Sequence, residues 1–194
     1  MAKNVLSSIN TGLGKIYYSI LNESEGTYGI PKEIGDLISI GVNPTENSQS
    51  LWAGDRQLII DSSIQVDGTF GVAGITNEVL CDIFGYKMGT KGELIYSSAT
   101  KRPKIALLVQ FNNYNNVQDY MTLWECRVDL AGMQGNTKND SVSYGTKEFS
   151  YKVLIPADKV YMSIISSDEA DCPEDIATTF FTTAPVKPTI KSEA

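Results

Sequence analysis

The amino-acid sequence predicts a mainly-β protein, a β-sandwich or partly closed antiparallel barrel, with one flanking α-helix at about 75–85 and a short second helix near the C-terminus. Three observations carry this. First, Leu58, Ile60, Ile64, Val66, Phe70 and Val72 are apolar at even positions, while Gln57, Asp61, Ser63, Gln65, Asp67 and Thr69 are polar at odd ones. Side chains alternate between the faces of a strand, so this stretch has one buried and one wet face, with a bend or bulge expected near Gly68. Second, the period changes at Ile75, Val79, Leu80, Ile83 and Phe84, which fall on one helical stripe. Third, the remaining apolar residues mostly alternate too, and short polar turns separate the runs, which favours antiparallel pairing.

Taken in order, Thr11–Gly14 reads as a turn. Its Gly12-Leu13-Gly14-Lys15 string lacks the full spacing of a phosphate-binding loop. Ile16, Tyr18 and Ile20 mark a first strand, and the polar stretch 22–29 a turn that Pro31 keeps from becoming helix. Ile34, Ile38, Ile40 and Val42 mark a second strand. Residues 43–57 then read as a long polar loop holding Pro44, Asn47, Ser48, Gln49 and Gly54, with Leu51 and Trp52 inside it. Trp52 either folds back onto the domain or anchors a partner surface.

In the helix, Thr76 is the expected N-cap, Asn77 and Glu78 occupy the favourable first turn, and Gly85 supplies the positive φ that ends it. Residues 87–92 form a turn and 93–97 a short strand. Ile105, Leu107, Val109 and Phe111 share one face of a strand whose other face carries Ala106 and Leu108, so both faces are covered. A turn over 112–116 leads to a strand with Tyr120, Thr122, Trp124, Cys126, Val128 and Leu130 on one face and Glu125, Arg127 and Asp129 on the wet one. Residues 132–144 form a second long polar loop. Phe149, Tyr151, Val153 and Ile155 mark another strand, and Val160, Met162 and Ile164 one more. Asp168, Glu169, Asp171, Glu174 and Asp175 lack the spacing and glycine of an EF-hand. Pro173 instead suits the first position of a short helix whose apolar side is Ile176, Phe180 and Phe181. Residues 1–181 therefore form one domain, and 182–194, with Pro185 and Pro188, an extended or disordered tail.

Composition narrows the chemistry. The 194 residues carry a net charge of −7, which repels nucleic-acid phosphate and argues against DNA binding as a main activity. No apolar run approaches 18 residues, so no membrane crossing is expected. Cys81, Cys126 and Cys172 are widely spaced and odd in number; they fit a reducing cytoplasm rather than a disulfide framework or zinc site, and Cys81 on the helix and Cys126 on a strand's apolar face read as buried hydrophobes. Histidine is absent, which removes every His-based triad and the commonest metal ligand. No nucleophile sits on a Gly-x-Ser-x-Gly elbow, and no carboxylate pair stands in an apolar setting. None of these residues points to catalysis, a cofactor or a metal.

The order of elements carries a resemblance. A strand Lys15–Ile20 leads to Tyr28-Gly-Ile-Pro-Lys-Glu-Ile34 and the strand 37–42, then a polar loop with Trp52-Ala-Gly-Asp55. The long alternating strand follows, then Ile75-Thr-Asn-Glu-Val-Leu-Cys-Asp-Ile-Phe-Gly85, the strands 104–111 and 120–130, the loop containing 135–139, and a late acidic run before Phe180-Phe181. Over most of 13–182 this resembles the major tail (tail-tube) proteins of long-tailed bacteriophages, a family related in fold to the inner-tube proteins of contractile tails and type VI secretion. The resemblance implies a non-catalytic virion protein, made in the bacterial cytoplasm. It implies rings, commonly of six, stacked into a tube through which DNA passes without specific binding. Other tail proteins (tape measure, tail terminator, distal tail) would be partners, with no membrane involved. On this reading Pro44, Trp52 and Arg56 of the first loop and Gln134, Lys138 and Asn139 of the second are self-assembly contacts. A different class also suits the residues: a monomeric ligand- or carbohydrate-binding β-barrel using Tyr and Trp with Asn and Asp partners, around 112–116. An enzyme using only carboxylates and Tyr is the third.

Overall fold

The computed structural model describes residues 9–53, 56–97, 99–130 and 146–189, with side chains except over 47–62. The strands are β1 (Asn10–Asn22), β2 (Thr27–Tyr28), β3 (Lys32–Ala53), β4 (Arg56–Val72), β5 (Lys87–Met88), β6 (Leu94–Ile95), β7 (Ile105–Asn113), β8 (Gln118–Val128), β9 (Lys147–Val153) and β10 (Met162–Ser166). The helices are α1 (Asn77–Phe84) and the single turn α2 (Ile176–Thr179). All pairings are antiparallel. The main order is β10-β8-β7-β1-β3-β4-β9, and β9 returns to β8, so six strands close into a barrel with β10 outside it. The fold is mainly β as the alternation predicts, and the barrel is fully rather than partly closed.

β8 has three neighbours, and a bulge makes that geometry available. Ile105 of β7 pairs with Cys126 but Leu107 pairs with Leu123, so Trp124 and Glu125 together oppose Ala106. Glu125 takes φ 50°, the left-handed region that a non-glycine residue rarely enters. Before the bulge the outer edge of β8 pairs with β10 (Met162↔Leu123 to Ser166↔Asp119); after it, with β9 (Cys126↔Val153 to Val128↔Tyr151). The handover is visible in two backbone bonds: Trp124 N–H donates to the Tyr161 carbonyl at 2.9 Å and Leu154 N–H to the Glu125 carbonyl at 3.0 Å. The bulge also reverses the phase. Met121 and Leu123, then Cys126 and Val128, point into the barrel, whereas Trp124 belongs to a separate outer cluster. The even-numbered residues of this strand therefore do not share one face, contrary to the alternation.

The interior is filled by Ile16, Val72, Ile105, Leu107, Val109, Leu123 and their neighbours, all almost inaccessible to water. Helix α1 adds Val79, Ile83 and Phe84 to this core, burial worth about 1.5–3 kcal/mol for each large side chain. Its ends are as the sequence predicts. Thr76 Oγ1 accepts from Val79 N–H at 3.4 Å, and Gly85 ends the helix at φ 71° where a Cβ would lie 2.4 Å from the Lys101 carbonyl. Asp82 ties the helix to the barrel wall, accepting from Tyr18 Oη at 2.7 Å and Lys32 Nζ at 2.6 Å.

Other expectations are corrected. Thr11–Gly14 is part of β1, with register shifts on both sides, rather than a turn; Gly14 lets the strand approach Gln110, where a Cβ would sit 3.2 Å from the Gln110 Cβ. Residues 43–53 and 56–57 extend β3 and β4 instead of forming a loop. Strand pairing is made by the backbone, so polarity there does not signal a loop. Ile64, on the predicted buried face, is 46% exposed because it lies beyond the barrel. Residues 87–88 are strand β5, paired with β6. Pro173 precedes α2 instead of opening it; its carbonyl accepts from Ile176 N–H at 3.1 Å. Residues 182–189 run without regular structure yet pack back on the domain. The loop 132–144 and residues 190–194 lie outside the described residues.

Candidate assembly surfaces

Two features of the barrel have no role in closing it. The first is the far part of the β3–β4 hairpin. β1 pairs with β3 only over Lys32–Asp36, and β9 pairs with β4 only over Val66–Val72. Beyond those limits the two strands pair with each other alone, from Thr45↔Gln65 out to Ala53↔Arg56, with a register shift between Asn47 and Gln49. At about 3.3 Å per residue this ribbon projects ~30 Å from the barrel. Asn43, Pro44, Thr45 and Glu46 at its root are exposed, as are Gln65 and Ile64, which pair with Thr45 and Glu46, and Ser63 beyond them. Neither outer edge of the ribbon has a strand partner among the described residues, so its backbone donors and acceptors are offered outward. Pro44, lacking an N–H, is tolerable there because the strand is an edge.

The ribbon leaves the barrel at a crowded point. Tyr151 of β9 lies over Gly68 of β4 and donates its hydroxyl to the Gly41 carbonyl of β3 at 2.8 Å. A Cβ at Gly68 would meet that carbonyl at 2.1 Å and the Tyr151 Oη at 2.5 Å. Only glycine fits there, yet both ladders run through it without a register shift (Val42↔Gly68 and Gly68↔Tyr151), so the bulge expected near Gly68 does not form.

The second feature is the C-terminal segment, which straps the outer face of β1, β7 and β8. Tyr28, Ala106, Leu108 and Trp124 form an apolar cluster outside the barrel, and Tyr17, Leu21, Val160, Phe180 and Phe181 close over it. Phe181 stacks on Tyr17 with ring centroids 4.3 Å apart; Phe180 lies 4.9 Å from Tyr120. Further along, Lys187 Nζ reaches Glu125 Oε1 at 3.0 Å and Asp158 Oδ2 at 3.3 Å, while Lys104 Nζ holds the other Glu125 oxygen at 3.0 Å. Burial pushes the Glu125 carboxyl up, but the hydrogen bonds from Lys104 and Lys187 outweigh it and hold it below the ordinary range. Between the strap and strands β8 and β10 remains an open groove of about 510 Å³, with Tyr120, Trp124 and Ile164 along it.

Of the predicted contacts, Trp52 and Arg56 come together at the tip of the ribbon, opposite Gln57 and Ala53 in register, while Pro44 lies at its root. Gln134, Lys138 and Asn139 lie outside the described residues. The strap face was not predicted as a site, and the adjacent Phe180-Phe181 pair is the signal that points to it. Trp124 and Tyr120, the aromatic residues best placed for stacking on a sugar, are almost wholly buried, and in the 112–116 turn the exposed ring is Tyr114. Burial pushes all three thiols up, most strongly at Cys126 inside the barrel, so they are protonated at neutral pH. No cluster of three metal-ligating side chains occurs among the described residues, and no described helix is long and apolar enough to cross a membrane. No protein-family model matches the chain, and no curated protein matches it.

Proposed function

We propose that this chain is a structural, self-assembling protein, the subunit of a phage tail tube, and that it works by joining copies of itself into stacked rings around a lumen that conducts DNA. The observation that carries the reading is the projecting β3–β4 ribbon. A two-stranded hairpin standing alone in water is marginally stable at best, and unprotected edges of this length are normally blunted. Here ~30 Å of ribbon is maintained with neither edge paired among the described residues. Such an arm gains its third strand or its covering surface from another molecule, and identical copies supply one in every subunit. The order of elements resembling tail-tube proteins supports the same reading, as does the net charge of −7, which would let phosphate slide past a lumen wall instead of gripping it.

Replacing residues 48–62 with an Asn-Gly turn joins the existing Asn47↔Ser63 pair and removes the arm without touching the barrel. The expected result is a folded monomer, with a melting temperature within a few degrees of the parent, that forms no rings or rods by negative-stain electron microscopy when the parent does. Tubes of unchanged width and yield from the shortened chain would remove the arm from the assembly mechanism.

A further inference from the structure

From the strap and the face beneath it, we infer that the outer face of β1, β7 and β8 is a recognition site for a Phe-Phe…Lys segment, filled by the chain's own residues 180–187 when it is alone and by the same segment of a neighbouring copy in the assembled state. The inference rests on the self-assembly reading above. The site has two parts that read a segment's chemistry. Tyr17 and Tyr120 receive two adjacent rings over the apolar floor of Leu108 and Trp124. Glu125 and Asp158 receive an ammonium group. Phe180, Phe181 and Lys187 meet these requirements, so a second copy carries a perfectly matched ligand.

Three features make exchange feasible. The strap is held by side chains alone: residues 180–189 pair with no strand, and α2 is one turn long. The link from β10 is folded into successive turns, with Glu169 N–H on the Ser166 carbonyl, Cys172 on Glu169 and Ile176 on Pro173. Drawn out at about 3.3 Å per residue, that stretch spans ~30 Å, enough to reach an adjacent subunit. The contacts are the same whether the strap is its own or a neighbour's, so the choice is set by linker strain and local concentration. Dilute chains stay closed, since a short tether holds its own strap at an effective concentration of about millimolar. Neighbours in a ring present a second strap at a comparable concentration.

The test uses full-length chains in pairs. Phe180→Ser with Phe181→Ser keeps the face and spoils the strap; Tyr17→Ser with Asp158→Lys keeps the strap and spoils the face. Each alone is expected to sediment as a monomer at about 50 µM, well under the tether's effective concentration. Mixed one to one, they are expected to form a heterodimer, because only the mixture contains a sound strap and a sound vacant face. Two folded monomers that remain monomers on mixing would overturn the inference. If either double variant loses its near-ultraviolet circular dichroism, the milder Phe181→Ser and Asp158→Lys chains are mixed instead, with the same two outcomes. Heterodimer formation needs no tube, so its failure is separate from failure of the assembly reading, which microscopy of the parent chain decides.

Discussion

At the scale of single residues, close contacts outweigh side-chain chemistry. Gly68→Ala should be strongly destabilising, because its Cβ has two immovable neighbours: a backbone carbonyl and a ring pinned between strands. A loss of about 2–3 kcal/mol in urea unfolding is expected, in the range of overpacking costs, whereas Gly74→Ala, with nothing within 4 Å, should be nearly neutral. Asp82 tests electrostatics at the same scale. Burial raises its carboxyl pKa, but the hydrogen bonds from Lys32 and Tyr18 prevail and the net shift is downward. A group depressed on folding contributes stability in full above its unfolded pKa of about 4, and that contribution is lost as the pH falls through the lower folded value. Asp82→Asn should therefore cost about 1 kcal/mol at pH 7 and flatten the acid limb of a stability-against-pH curve. An unchanged limb would show that the Lys32 and Tyr18 contacts carry no net stability.

At the scale of elements, legibility followed how much of an element's environment lies in its own sequence. α1 could be read to its caps, because Thr76, Gly85 and the stripe between them are local signals. Thr76→Ala should lower stability by about 1 kcal/mol and Thr76→Asn should leave it intact, as measured by thermal melts. β7 could be read as covered on both sides, because Ile105 to Val109 is apolar without a gap. β8 could not: its phase reverses at Glu125, and a glutamate in the left-handed region leaves no trace in a hydrophobic pattern. Half of the β3–β4 ribbon escaped for the opposite reason: Leu58 to Gln65 of β4 could be read as strand from its alternation, but its partner, residues 43–53 of β3, has no alternation to show. Pro44, Asn47, Ser48 and Gln49 resemble a loop in composition, while pairing with β4 makes most of them a strand. For the same reason Trp52 and Arg56 were identifiable as notable residues but not as neighbours at a hairpin tip. The strap site was illegible because it joins Tyr17, Tyr120, Glu125 and Lys187 across nearly the whole chain.

At the scale of the molecule, alkaline and acid behaviour have separate origins. Burial raises the phenols of Tyr18, Tyr28 and Tyr151, all three members of the two clusters. A group raised on folding contributes fully below its unfolded pKa, about 10 for Tyr, and the contribution is lost as the pH climbs toward the folded value. With no histidine in the sequence, stability should be nearly flat between about pH 5.5 and 8 and fall on either side. A sharp transition inside that window would contradict this.

The seam that completes the barrel has a kinetic consequence. β8 and β9 meet over Cys126, Arg127 and Val128 only, whereas β3 and β4 are paired almost end to end. A short ladder has few bonds to break, so the cylinder should breathe here first and briefly become an open curved sheet. In native-state hydrogen exchange, amides bonded across this seam should exchange ahead of those between β1 and β7, at a free energy below that of global unfolding. Each such opening presents fresh sheet edges without unfolding the core, so the barrel's weakest closure is also where an incorrect strand could most easily enter.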